Sequence, residues 1–304
     1  MTEDDPQRAI DVRGLRKAFG RQVVLDGLDL VVARGEVFAL LGPNGAGKTT
    51  AINILTTLVR PDAGSAVVAG VDVVRDPDAV KRRIGLTGQA TAVDDVLTGT
   101  ENVVMLGRLS GLSARAARRR AAELLARFDL TDAAAKRVGA YSGGMRRRLD
   151  LALSFVVTPE ILFLDEPTTG LDTRSRRELW DVIRSLAQAG TTVFLTTQYL
   201  DEADQLADRI AVLDGGRVVA TGTAAQLKAR IGGDTVELHD AHGELLHEVA
   251  TDGTVSDLRR ALDVLDESGA EGVVSLRRPS LDDVFLALTS PDASRAEASL
   301  KEIA

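Results

Sequence analysis

The chain is 304 residues long, with 44% apolar and 27% charged residues, enough for one large domain and a smaller one with its own core. It has no cysteine, which excludes a disulfide framework and a thiolate metal site and fits a reducing compartment. A net charge of −8 disfavours general nucleic-acid binding, which rests on clustered Lys and Arg.

The start, MTEDDPQRAI, has acids where a signal peptide would carry positive charge. No apolar run reaches the roughly 18–20 residues of a bilayer span, so any membrane role is expected to come through a partner. Short strands are predicted at 10–12, 23–25, 28–32 and 36–41, punctuated by Gly14, Gly20, Gly27 and Gly35. The run VFALL lacks period-2 alternation, which predicts a strand covered on both faces. Glycine-rich GPNGAGKTT follows it, then a helix through residue 58 that Pro61 and Gly64 end. Residues 95–153 are rich in Ala, Arg and Leu at helical spacing and predict a helical insert. Strands at 161–164, 192–195 and 210–213 then alternate with helices at 174–189 and 200–206, the pattern of a layered α/β core. Gly222, Gly232 and Gly233 place a boundary near 222–234, and two strands, a helix, a strand and a helix follow as a small α+β unit.

Three motifs carry chemistry. Gly42, Pro43, Asn44, Gly45, Ala46, Gly47, Lys48 and Thr49 form a phosphate loop, with Thr50 next, between a buried strand and a helix start. Its glycines let backbone amides turn toward an anion and the helix dipole adds to them. Lys48 is expected against the β- and γ-phosphates and the Thr49 hydroxyl on Mg²⁺. ILFLDEP runs an apolar strand into two acids, Asp165 for Mg²⁺ and Glu166 as base or orienter of the attacking water. YSGGM sets Ser142, Gly143 and Gly144 at a second helix start, another anion-binding end. Two cradles in one chain make sense if each nucleotide is held between the loop of one copy and the Ser142 segment of another.

In this order and spacing the chain resembles the ATP-binding subunit of an ABC transporter. The resemblance implies a P-loop NTPase core (1–224) with an antiparallel β subdomain and a helical subdomain at about 90–153, then a C-terminal α+β domain at 225–304. It implies ATP and Mg²⁺ as ligands, Gln89 as the glutamine touching Mg²⁺, Asp172 at the end of the D-loop TGLD, and Phe19 stacking on adenine. RRPSLDDVFLALT and TTQYLDEADQLADRI resemble the daunorubicin/doxorubicin-resistance type of drug and lipid exporter. That type implies a homodimer docked to a multi-span membrane permease, peripheral at the cytoplasmic side of the cell membrane, with no nucleic-acid partner. Most ABC ATPases end the strand after the D-loop in a histidine; here Gln198 stands there. An amide can donate to a phosphate oxygen but does not titrate near neutral pH, so Gln198 is expected to sense the γ-phosphate and not to shuttle protons. Competing readings are a soluble ABC ATPase acting on ribosomes or DNA, and a nucleotide-regulated binding module with little turnover. Trp180, Leu179 and Ile183 are expected in the core, and His239, His242 and His247 at the surface.

Overall fold

The computed structural model describes residues 7–88 and 92–289, in two compact units that divide after Thr221. The first unit opens with a long antiparallel hairpin, β1 (Arg8–Phe19) and β2 (Gln22–Ala33). The segments 23–25 and 28–32 are therefore one strand. Gly27, at φ +80°, does not end it but falls where the pairing slips between Arg16↔Asp26 and Leu15↔Leu28, as a bulge residue does. Two strands that no hydrophobic period announces, β4 (Ala63–Val68) and β5 (Val71–Asp72), complete a four-stranded sheet ordered β2-β1-β4-β5. Gly64 looked like a breaker but lies under the β1 backbone, where a side chain would strike Gly14 O at 2.4 Å.

The second sheet has six strands, ordered β10-β9-β3-β8-β7-β6. Its centre is β3 (Val37–Leu41), β8 (Thr192–Thr197) and β7 (Ile161–Asp165), in parallel and buried at every residue. Such strands read as unbroken apolar runs because helices or sheet cover both faces. Register sets Phe38 and Phe163 on either side of Phe194, with ring centroids 5.6 and 5.5 Å from its own. Each buried ring contributes about 1.5–3 kcal/mol, so this row pins the three strands that deliver the site. The core is continuous with the first sheet through Ile10, Leu15 and Leu25. The edges, β6 (Ile84–Thr87) and β9 (Arg209–Asp214) with β10 (Arg217–Gly222), flank it; β6 and β10 are too short and mixed to show a period.

Helix α1 (Lys48–Leu55) leaves the end of β3 and stops three residues earlier than expected, where Thr56 Oγ1 bonds the Ile52 carbonyl. After α2 (Pro77–Lys81) the helical subdomain holds α3 (Gly99–Leu109), α4 (Ala114–Arg127) and α5 (Gly143–Ser154). Thr98 and Glu101 close a capping box on α3, and Arg115, Arg118 and Arg119 lie on the solvated face of α4. Helices α6 (Thr173–Gln188) and α7 (Leu200–Leu206) cover the parallel sheet, with Leu179, Trp180 and Ile183 buried as their spacing predicted.

The second unit begins with α8 (Ala224–Ala229), which packs on α10 (Leu281–Thr289). Between them, β11 (Asp234–His239), β12 (Leu245–Thr251) and β13 (Val273–Arg277) form an antiparallel sheet covered by α9 (Val255–Glu267) around Val236, Leu238, Ala261 and Leu265. His239 faces Leu245 and His247 faces Leu238 across this sheet, and no His/Cys/Asp/Glu cluster among the described residues can hold a metal.

Glu202 on α7 is fully buried; its Oε1 accepts from Trp180 Nε1 at 3.3 Å and its Oε2 has no partner among the described residues. Burial pushes its carboxyl above the usual range, and the nearby hydroxyls of Thr197 and Thr168 only soften that. The folded chain then binds this proton more tightly than the unfolded chain. Stability is therefore lost as pH rises from the ordinary carboxylate range through the raised value. Glu202→Gln is expected to melt higher than wild type at pH 8, with the gap closing toward pH 4.5; parallel melting curves across that range would contradict it.

Candidate nucleotide site

The phosphate loop is built by backbone geometry that admits only glycine at two points. A Cβ on Gly42 would lie 2.4 Å from Leu213 O, and one on Gly47 would lie 2.8 Å from Leu25 Cδ2 and 2.9 Å from Val24 O. Gly47 is also at φ +108° and Gly45 at φ +83°, conformations that L side chains rarely adopt. Between them the Ala46 amide closes the turn on Pro43 O at 3.2 Å, with Ala46 itself buried. Helix α1 starts at Lys48 with no side-chain cap, so its first amides have neither an intrahelical nor a capping acceptor. Asn44, Gly45 and residues 47–50 line a cavity of about 310 Å³ with Gln22, Val24 and Glu166. Gln22 and Val24 come from the hairpin tip, a contribution with no local motif.

Lys48 is 4% exposed. Its Nζ donates to Gly42 O at 2.9 Å and Pro43 O at 3.1 Å, and stands 3.3 Å from Glu166 Oε1. The ammonium is therefore caged on three sides at the mouth of the amide cradle.

The carboxylates come from the end of β7. Asp165 Oδ1 accepts from Thr196 Oγ1 at 2.6 Å and from Thr49 Oγ1 at 3.3 Å. Thr196 belongs to none of the three motifs that carry chemistry, yet it faces Asp165 in strand register and its hydroxyl also accepts from the Glu166 amide at 3.1 Å. Glu166 leaves the strand at φ +48°, a left-handed conformation costing a non-glycine residue about 1–3 kcal/mol. That turn is what swings its side chain toward Lys48 instead of continuing the strand's alternation.

Gln198 follows β8, whose Thr197 pairs with Leu41 and accepts the Gly42 amide on its carbonyl at 3.2 Å. The residue is half-buried, and the Thr197 hydroxyl accepting from Tyr199 N at 2.9 Å shapes the turn that carries it. It thus sits at the same sheet edge as Gly42 and Glu166.

Ser142 caps α5, its Oγ accepting from Met145 N at 3.2 Å, and none of Ser142, Gly143 or Gly144 lines the Lys48 cavity. Gly144 lies against α6, where a Cβ would meet Ser175 Oγ at 2.8 Å. Asp172 caps that helix on Ser175 N at 2.7 Å, and this bond draws its exposed carboxyl below the usual range. Phe19 ends β1 half exposed, opposite Gln22 and with Lys17 Nζ 5.3 Å from its ring centre. Gln89 lies outside the described residues.

A phosphate loop with two carboxylates at the end of the neighbouring central strand defines a P-loop nucleotide-hydrolase site. Residues 25–169 match the family described as ABC transporter. Over its length the chain is similar to a daunorubicin resistance ATP-binding protein of Streptomyces coeruleorubidus, 55% identical over 96% of this chain and 99% of that one. It is also 51% identical, over 98% of both chains, to the daunorubicin/doxorubicin resistance ATP-binding protein of Streptomyces peucetius. A Nod factor export ATP-binding protein of Burkholderia lata is 38% identical over 93% of this chain and 98% of its own. Among solved structures, an ATP-binding subunit of an ABC transporter superposes with TM-score 0.64 at 28% identity, over 73% of this chain and 92% of its own. A dimeric post-hydrolysis ATP-binding cassette bound to ADP and Pi does so with TM-score 0.63 at 26% identity, over 70% of this chain and 98% of its own. The chain belongs to the ATP-binding proteins of ABC transporters, of the daunorubicin/doxorubicin-resistance type, and is an ABC-type ATPase.

Gly47→Ala combines a forbidden backbone angle with a backbone clash. It is expected to weaken ATP binding by about 1.4 kcal/mol or more, tenfold in Kd, measured by titration with a fluorescent ATP analogue; unchanged affinity would contradict the cradle.

Proposed function

We propose that this chain is the ATP-hydrolysing subunit of an exporter for a drug or lipid-like substrate, acting as a homodimer beneath a separate multi-span permease. Its place would be peripheral, at the cytoplasmic side of the cell membrane. Names of the relatives support the substrate class and direction: resistance to daunorubicin or doxorubicin, and export of Nod factor. No helix among the described residues is long and apolar enough to cross a membrane, and this reading places the substrate path in the permease. The dimeric post-hydrolysis cassette supports the two-copy arrangement, with Ser142, Gly143, Gly144 and Asp172 serving the nucleotide of the opposite copy.

The observation that carries the hydrolytic reading is Glu166 Oε1 held 3.3 Å from Lys48 Nζ over the amide cradle. The cradle amides and Lys48 take the β- and γ-phosphates, and Lys48 exchanges loop carbonyls for phosphate oxygens. Glu166 accepts the proton of the attacking water, or orients that water for in-line attack. Gln198 donates its amide to the γ-phosphate and Phe19 stacks on adenine. The donor set suits magnesium: the Thr49 hydroxyl converges on an Asp165 oxygen, and both are hard oxygen donors. Thr49 and Asp165, with Gln89, would hold the ion, which supplies charge neutralisation to the phosphates when bound. Catalysis is then positioning and charge stabilisation.

Glu166→Gln is expected to keep ATP affinity within a few-fold and lower turnover about 100-fold or more, the usual weight of a general base, leaving a nucleotide-bound dimer by size-exclusion chromatography. Undiminished phosphate release would remove Glu166 from the chemistry. Gln198→Ala is expected to slow turnover with affinity retained; an unchanged kcat would deny Gln198 a part in hydrolysis.

A further inference from the structure

One buried ion pair near the site has no part in the chemistry above. Arg147 and Asp150, one turn apart on α5, are 7% and 4% exposed, and Arg147 Nη1 lies 3.2 Å from Asp150 Oδ2. Burying two charges is costly and is repaid only when every donor finds an acceptor. Arg147 finds them on backbone far from its own helix. Its Nε donates to Pro167 O at 2.8 Å and its Nη1 to Gly88 O at 2.8 Å, while Nη2 reaches Asp165 O at 3.5 Å. Asp150 Oδ1 in turn accepts from Ala92 N at 3.0 Å.

Asp165 and Pro167 are the residues on either side of Glu166. The guanidinium therefore grips the chain before and after the left-handed residue whose turn brings the carboxylate to Lys48. A planar fork with five donors can hold such a set of carbonyls, where an ammonium cannot match its geometry. The same helix is capped by Ser142 and opens with Gly143 and Gly144, within five residues of Arg147, so the grip also ties the second anion-binding end to the Glu166 turn.

We propose that Arg147, oriented by Asp150, is a positioning residue for ATP hydrolysis: it holds the Glu166 turn in its productive conformation and links that turn to the placement of α5 and Gly88. This rests on the reading of Glu166 as the group that acts on water. Arg147 does not line the cavity that binds the phosphates; of that lining its hydrogen bonds flank only Glu166 and leave the loop and the hairpin tip untouched, so the effect falls on turnover and leaves affinity alone.

The test is ATP turnover, nucleotide Kd and melting temperature of the full-length chain as wild type, Arg147→Met with Asp150→Asn together, and Arg147→Lys. The double variant removes both charges, so no buried charge is left unpaired. Loss of positioning lowers its kcat about 10- to 100-fold, with Kd within about threefold of wild type. Arg147→Lys keeps the charge beside Asp150 and loses the fork; its kcat falls in the same direction with the melting temperature near wild type. Wild-type kcat in either folded variant would overturn the proposal, as would a Kd that rises in step with the fall in kcat. Glu166→Gln is the control: if it still turns over, the reading of Glu166 fails. If it is inactive while the double variant turns over normally, only the positioning role fails.

Discussion

A lysine ammonium and a glutamate carboxylate, both nearly closed off from solvent and 3.3 Å apart, are the contact around which the larger unit is arranged. Neither charge is stable there alone. Two loop carbonyls hold Lys48, and the left-handed turn at Glu166 is kept by Thr196 from below. Thr196 in turn shares Asp165 with Thr49. Each group is satisfied by another group of the site, so displacing one unsettles several. Such a network costs strain and desolvation and returns a fixed geometry at the strand ends.

The parallel sheet makes that network possible. Three strands whose residues are buried on both faces stop at the same level, and a row of phenylalanines fixes their register. Their ends therefore deliver Gly42, Asp165 with Glu166, and Gln198 to one edge, although some 150 residues separate the first from the last. The antiparallel hairpin adds Gln22 and Val24 from the side. The helical subdomain reaches the same edge through Arg147, a long side chain on α5.

Chemistry was easier to read than architecture. GPNGAGKTT and ILFLDEP announce themselves because glycine, lysine and paired acids in that order have few other uses. Central strands were legible as unbroken apolar runs, and the tail's order of strands and helices from its turns. Strands β4, β5, β6 and β10 carry no readable signal because short strands of mixed burial show little period. Gly27 and Gly64 looked like ends of elements, yet one bends a continuous strand and the other clears a neighbouring backbone. Thr196 and Arg147 were visible as residues but not as partners, since their acceptors lie about 20 to 60 positions away.

Local patterns in the chain were sufficient for its class: a glycine-rich loop admits phosphate because of what lies within eight consecutive residues, and no distant contact is needed to see it. Which hydroxyl braces Asp165, which angle turns Glu166 toward Lys48, and which arginine grips that turn all depend on strand register and on helices packed across the sheet. Those are contacts between segments remote in the chain, and their energies belong to the folded arrangement and to no single stretch of residues.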